Sequence, residues 1–173
     1  MPDPEVSPDA ATTMSPPGTS SVTDVKLLAA QLFNETWRLL EQENRTRDDD
    51  DRMIHTAHAS RYHWAQAPAV TPTHLARSEW LISRVYATLG RFEPARHHAQ
   101  RALDLCRENG IGDFDLAFCY EALARAHAVN GDASQARDYT NQALAAADDI
   151  AGTEDRDILL ADLETIPGQP RFW

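Results

Sequence analysis

The residues closest to a chemical site lie in the second predicted helix. His55 and His58 are three residues apart and Tyr62 follows four residues later, so all three share one helix face. Two imidazoles one turn apart form half of a metal site, because zinc or iron requires at least one further ligand. The candidates for that ligand lie on other predicted helices: Glu79, Glu121 and His127. The alternative is that these histidines are half buried and hydrogen-bond between helices.

Motifs for established catalytic chemistries are missing from the sequence. There is no nucleophile elbow, phosphate loop, dinucleotide-binding glycine pattern or HExxH pair. The acidic run Asp48–Asp51 lacks the spacing and the glycine of a calcium loop, so it predicts a helix N-terminus instead. These observations favour a non-enzymatic protein without a cofactor.

The charge balance excludes some classes of partner. The chain has 16 basic and 27 acidic residues and a net charge of −11, which disfavours binding to phosphate backbones. No apolar run approaches the length of a membrane span, and no secretory signal precedes the first helix. Cys106 and Cys119 lack metal-type spacing, which predicts a reduced pair in the cytoplasm.

Composition divides the chain into three parts. Residues 1–21 hold five of the ten prolines and show no helical period, which predicts a disordered tail. Residues 22–166 are predicted to form a single helical domain. Residues 167–173 are predicted to be a C-terminal tail, whose aromatic pair Phe172 and Trp173 would dock in cis or on a partner.

The central part has a helical pattern throughout. Apolar residues such as Val25, Leu28, Leu32 and Leu39 recur at spacings of three, four and seven, and no segment alternates like a strand. Proline, glycine and acidic residues mark the helix ends. The six or seven predicted helices span about 22–44, 51–67, 71–89, 92–109, 114–130, 132–151 and, as a short last helix, 153–166. The expected class is all-α, with neighbouring helices antiparallel because the links are short.

Part of the chain repeats itself at an offset of 41 residues. Gly90 then aligns with Gly131, and Arg84 aligns with Arg125. The pairs Ala76 with Ala117 and Ala95 with Ala136 align as well. Each unit is a helix, a tight glycine turn and a second helix, and its alanines permit close helix packing.

This pattern resembles the tetratricopeptide family over about residues 77–147. The stretch from Tyr86 through Gly90 to Leu103 is similar to one unit, and the stretch from Tyr120 through Gly131 to Leu144 is similar to a second. The family repeat is usually about 34 residues, so the offset is longer, and the helix pair before residue 67 lacks the glycine turn. The resemblance implies a right-handed stack of antiparallel helix pairs, an α-solenoid, whose first helices line a concave face.

In this family the concave face holds peptides or partner proteins. The matching positions here are Arg77, Trp80 and Arg84 in the first unit and Phe118, Glu121 and Arg125 in the second. Arg84 and Arg125 would stand on adjacent helices and hold a carboxylate or phosphate between them. The alternative is that these arginines pair within the chain, with Glu121 or Glu79.

The first functional hypothesis is therefore a non-enzymatic module that binds a peptide, a protein or a small anionic ligand. The second is a small helical enzyme or metal-binding protein, with a divalent metal near His55, His58, Tyr62 and Glu121. A third is a structural scaffold that self-assembles, for example as a homodimer.

Overall fold

The computed structural model describes residues 22–168, which contain seven α-helices and no strand. This confirms the all-α prediction. The predicted tail at 1–21 and residues 169–173 of the C-terminal tail lie outside the described residues. The helices are α1 (Val22–Leu40), α2 (Arg47–Gln66), α3 (Pro72–Thr88), α4 (Phe92–Glu108), α5 (Asp113–Val129), α6 (Ala133–Ala147) and α7 (Thr153–Glu164).

An arginine closes the first helix. The prediction that α1 runs to Asn44 was wrong, because the helix ends at Leu40. Arg45 Nη1 donates hydrogen bonds to the carbonyl oxygens of Leu39, Leu40 and Gln42. The guanidinium thus satisfies carbonyl groups that a helix end leaves without partners, at a turn that has no glycine.

A capping box opens the second helix. Its predicted start at Asp51 was wrong, because α2 begins at Arg47. The Thr46 hydroxyl accepts a hydrogen bond from Asp49 N, and the Asp49 carboxylate accepts one from Thr46 N. This reciprocal pair satisfies the backbone N–H groups of Thr46 and Asp49, which would otherwise lack partners, and so fixes the start of the helix.

The end of α6 is the third boundary that differs from prediction. The helix stops at Ala147 instead of near Gly152. Ile150 is 8% exposed and belongs to the core cluster between α5 and α7. The chain leaves the helix before Ile150, and Gly152 becomes the N-cap of α7.

The two aligned glycines make equivalent turns. Gly90 has φ of 68° and Gly131 has φ of 75°, in the left-handed region that favours glycine. After Gly90, Arg91 N donates to Tyr86 O at 2.8 Å, and Asp132 N donates in the same way to His127 O at 3.0 Å. Both turns therefore use the same backbone closure of a helix C-terminus.

The helices form three antiparallel pairs and one closing helix. α1 packs with α2, α3 with α4 and α5 with α6, and α7 packs on α5 and α6. Leu159 and Leu163 of α7 are completely buried, and Ile166 is nearly so. α1 contacts α3, α3 contacts α5 and α5 contacts α7, so these four helices form one layer, the first-helix row.

Small side chains allow the pairs to pack closely. Ala95, Ala99 and Ala102 of α4 are fully buried, as is Ala126 of α5. α3, α4 and α5 each have 17 residues, so the long repeat spacing is accommodated in the helices themselves. Within the described range, no helix is both long and apolar enough to cross a membrane.

Candidate functional site: an aromatic cleft on the first-helix row

A cleft of about 270 Å³ opens on the first-helix row, and we call it the aromatic cleft. All four helices of the row contribute to its lining. The lining residues are Phe33 and Trp37 of α1; Ala76, Arg77 and Trp80 of α3; Phe114, Asp115, Phe118 and Cys119 of α5; and Ile158 and Asp162 of α7.

Helical spacing explains why each helix contributes its residues together. Phe33 and Trp37 are four residues apart, as are Phe114 and Phe118, and Ile158 and Asp162. Residues at this spacing are neighbours on one helix face. Each helix of the row therefore turns a short stripe of side chains toward the same space.

The aromatic rings form a continuous wall across three helices. The ring centroids of Trp37 and Trp80 are 5.7 Å apart, and Trp80 meets Phe118 edge-on at 5.5 Å. Phe118 contacts Phe114 at 4.4 Å. These distances are within the range of favourable aromatic pairs, so the wall is held in shape by its own contacts.

An ion pair lies at the edge of the aromatic cleft. Arg77 Nε donates to Asp115 Oδ1 at 2.6 Å, and Arg77 Nη2 donates to Asp115 Oδ2 at 3.0 Å. The hydrogen bond to Asp115 is the main reason why the pKa of Arg77 is raised. This bidentate pair joins α3 to α5 and fixes the orientation of both side chains.

A buried ionic network lies behind the aromatic wall. Glu121 is completely buried, and its Oε1 accepts hydrogen bonds from Arg84 Nη1 at 2.9 Å and Arg125 Nε at 2.7 Å. Arg84 Nη2 also donates to Asp162 Oδ1. Arg125 Nη2 donates to Thr165 Oγ1 at 2.7 Å and to the carbonyl oxygen of Asp162 at 2.9 Å. The network ties α3, α5 and α7 together.

The two arginines keep Glu121 ionised. Burial raises the pKa of Glu121, but the charges of Arg125 and Arg84 outweigh this effect and lower it. The indole N–H of Trp80 lowers this pKa further. Among residues 22–168, neither Trp80 Nε1 nor Glu121 Oε2 has a partner at hydrogen-bond geometry. Both guanidiniums are therefore engaged within the chain, which was the alternative to an anion site.

The structure divides the six predicted concave-face residues into two groups. Arg77, Trp80 and Phe118 line the aromatic cleft, whereas Arg84, Glu121 and Arg125 form the network behind it. The second acidic partner besides Glu121 is Asp162, which the sequence analysis did not predict. Glu79 instead accepts a hydrogen bond from Arg61 at 2.8 Å and pairs with His98 at 2.7 Å.

Several lining residues were missed in the sequence analysis. The repeat could have predicted the contribution of α7, because the offset of 41 residues aligns Ile158 with Ala117 and Asp162 with Glu121. For α1 there was no such signal, since its helix pair does not align with the repeat. Trp37 of α1 is half buried at the cleft. The other missed lining residues are Phe33, Ala76, Phe114, Asp115 and Cys119.

The predicted histidine site lies away from the aromatic cleft. His58 Nε2 is 3.0 Å from Tyr86 Oη, and its ring lies 5.3 Å from that of His98. His55 is exposed, and Tyr62 is 66% exposed. Within residues 22–168, no three or more His, Cys, Asp and Glu side chains are grouped so that they could hold a metal ion. A metal at His55 and His58 stays a prediction.

A second groove of about 220 Å³ continues from the aromatic cleft toward the end of α2. The two share Phe33 and Arg77. In the second groove Trp64 stacks on His74 with ring centroids 4.5 Å apart. The first-helix row therefore offers a longer apolar track than the aromatic cleft alone.

Comparison with known proteins identifies the repeat. Residues 74–149 match the family model described as a tetratricopeptide repeat. This segment, which spans α3 to α6, is a tetratricopeptide-like helical repeat, as the resemblance predicted. Tetratricopeptide repeats generally mediate protein–protein interaction. No curated protein and no solved structure is significantly similar to the chain.

Proposed function

We propose that this protein is a non-enzymatic binding module that holds a peptide segment of a protein partner in the aromatic cleft. The observation that carries the proposal is the position of this cleft on the first-helix row of a tetratricopeptide-like stack. The row is the surface that the family resemblance assigns to partner binding, and all four of its helices line the cleft.

The chemistry of the lining favours an apolar side chain as the part of the partner that enters. Three contacts between tryptophan and phenylalanine rings form the wall, and Ile158, which also lines the cleft, is 53% exposed. Covering such surface releases water from apolar groups, which is the main source of affinity in small recognition sites. A cleft of about 270 Å³ accommodates one or two side chains of a peptide.

The ionic groups of the cleft support its shape. Arg77 is bound to Asp115, and Asp162 is bound to Arg84, so each charge already has a partner. These pairs connect neighbouring helices of the row and hold the aromatic side chains at fixed positions. A preformed cleft binds a peptide without a large cost for ordering its own residues.

A library of short random peptides displayed on phage and selected against the full chain tests this function. We expect the recovered peptides to carry bulky apolar residues. They should bind the double variant Phe114→Ser/Ile158→Asn roughly tenfold or more weakly, a loss of about 1.4 kcal/mol.

The matched control changes apolar surface outside the cleft. Leu27 is 55% exposed and Leu28 is 40% exposed, and neither lines the aromatic cleft. The control variant Leu27→Asn/Leu28→Ser should bind the recovered peptides as the unmodified chain does, with both variants shown to be folded by circular dichroism. Peptides that bind the cleft variant undiminished, or no recovered peptide at all, would contradict the proposed function.

A further inference from the structure

We propose that the partner segment is basic, with lysine or arginine residues beside the apolar side chain that enters the aromatic cleft. This inference rests on the proposed function and adds the charge of the partner to it. It is drawn from the acidic side chains that surround the cleft on its α5 and α7 side.

Carboxylates cluster along one side of the aromatic cleft. Asp115 and Asp162 line it directly. Glu154 and Asp155 lie about one turn before Ile158, on the same face of α7, and both are exposed. Asp155 is close enough to Arg77 for its charge to raise the pKa of that guanidinium, after the larger effect of Asp115.

The described cations near this side are already paired with other acids, and Arg156, next to Asp155 on α7, pairs with Asp148. Arg77 is held by Asp115, and Arg84 is shared between Asp162 and the buried Glu121. Glu154 and Asp155 therefore add negative charge to groups that are already balanced. The chain as a whole has a net charge of −11, so the surrounding field has the same sign.

The distribution of charge also gives the bound segment a direction. Lys26 of α1 lies near His74, whose pKa is lowered by burial and then by the charge of Lys26. Lys26 also lies one helical turn before Ala30, which lines the second groove, so this groove lies beside a cation, whereas the α7 side of the aromatic cleft is acidic. The basic residues of the partner would lie over the first turn of α7, with its apolar residues in the cleft and toward Trp64.

The aromatic wall is itself compatible with a neighbouring cation. The guanidinium carbon of Arg84 lies 5.8 Å from the centre of the Trp80 ring, a distance at which a cation is attracted by the ring face. A partner lysine or arginine over an accessible ring face of the wall would gain the same kind of attraction. The acidic surroundings would also speed association, and more so at low salt.

The test uses three synthetic forms of one peptide recovered by the selection, with its flanking positions all lysine, all glutamine or all glutamate. We expect affinity for the full chain to fall in that order, with roughly tenfold or more between the lysine and glutamate forms. The advantage of the lysine form should decrease as salt is added, because exposed charges are screened.

Two double variants place the effect on the α7 side. Glu154→Gln/Asp155→Asn should reduce the difference between the lysine and glutamine forms. The control Glu93→Gln/Asp138→Asn removes one first-turn acid of α4 and one exposed acid of α6, and should leave that difference unchanged. If the α7 variant proves unstable, the peptide series on the unmodified chain still decides the outcome.

The outcomes separate the two proposals. Equal binding of the lysine and glutamine forms, still lost in Phe114→Ser/Ile158→Asn, would overturn the basic partner and leave the peptide-binding function intact. Tightest binding of the glutamate form would overturn it in favour of an acidic partner. Binding that does not depend on the aromatic cleft would overturn both.

Discussion

The buried Glu121 keeps the guanidinium groups of Arg84 and Arg125 engaged within the chain. Its buried carboxylate binds Arg84 and Arg125 together, and Asp162 takes a second position on Arg84. A buried charge is tolerated only when it is paired, so each member of this group depends on the others. Sequence spacing made Arg84 and Arg125 candidates for binding an external anion. In the structure they belong to the ionic network that lies behind the aromatic wall.

Removing both cations should therefore lower stability. The variant Arg84→Gln/Arg125→Gln leaves Glu121 buried without a counter-charge, and we expect the free energy of unfolding to fall by about 3–5 kcal/mol. Urea unfolding followed by circular dichroism measures this change. The control Arg96→Gln/Arg137→Gln alters two exposed arginines and should change little. An unaltered midpoint for the first variant would show that the network contributes no stability.

A second prediction at this scale concerns His58 and pH. Burial lowers the pKa of His58, as do the charges of His98 and His55, whereas Glu79 opposes them. The unfolded chain therefore binds this proton at a higher pH than the folded chain. The resulting stability is present above about pH 6.5 and is lost as the pH falls toward the folded-state pKa.

Thermal unfolding between about pH 7.5 and pH 5.5 should show this loss, and His58→Gln should reduce it. Tyr86→Phe is the control, because it removes the hydrogen bond at His58 Nε2 but keeps the titrating ring. If His58→Gln retained the full dependence on pH, the loss would have to arise at another group.

At the scale of elements, two glycines define the repeat. Gly90 and Gly131 occupy the left-handed region, and no atom of the described neighbouring residues lies within 4 Å of the position that a Cβ atom would take. The requirement for glycine there is therefore a property of the backbone alone. α7 is the fourth helix of the first-helix row and, within residues 22–168, no second helix follows it.

Substitution at Gly131 tests this account of the turn. Gly131→Val should lower the free energy of unfolding by about 1–3 kcal/mol, because a β-branched residue is strained at positive φ. Gly131→Asn should lower it less, because asparagine adopts this conformation more readily. Urea unfolding of both variants gives the comparison. A valine variant as stable as the unmodified chain would mean that the aligned turn is not formed.

The elements were more predictable than the cleft that they build. The helical periodicity of apolar residues, together with glycine and proline, was enough to locate each described helix. The helix boundaries that differ from prediction depend on contacts of Arg45, Thr46 and Ile150, which periodicity does not show. Half of the predicted concave-face residues line the cleft. The contribution of α1 could not be predicted, because Phe33 and Trp37 reach the cleft through packing between α1 and α3 and not through the repeat.

At the scale of the whole molecule, two layers have different characters. The first-helix row carries the aromatic cleft and the second groove, and the other layer supports it through alanine-rich packing. Nearly every charged side chain that lines the cleft is paired with a charge on another helix. The surface left available to a ligand is therefore apolar, with acidic side chains around it. That combination favours a basic peptide that is anchored by an apolar side chain.

The most direct measurement is two-dimensional nuclear magnetic resonance of the full chain during titration with the lysine-flanked peptide. We expect the indole N–H signals of Trp37 and Trp80 and the backbone signals of α7 around Ile158 to shift together, while the signals of α4 and α6 stay in place. Shifts confined to α4 and α6, with the cleft signals unchanged, would contradict it.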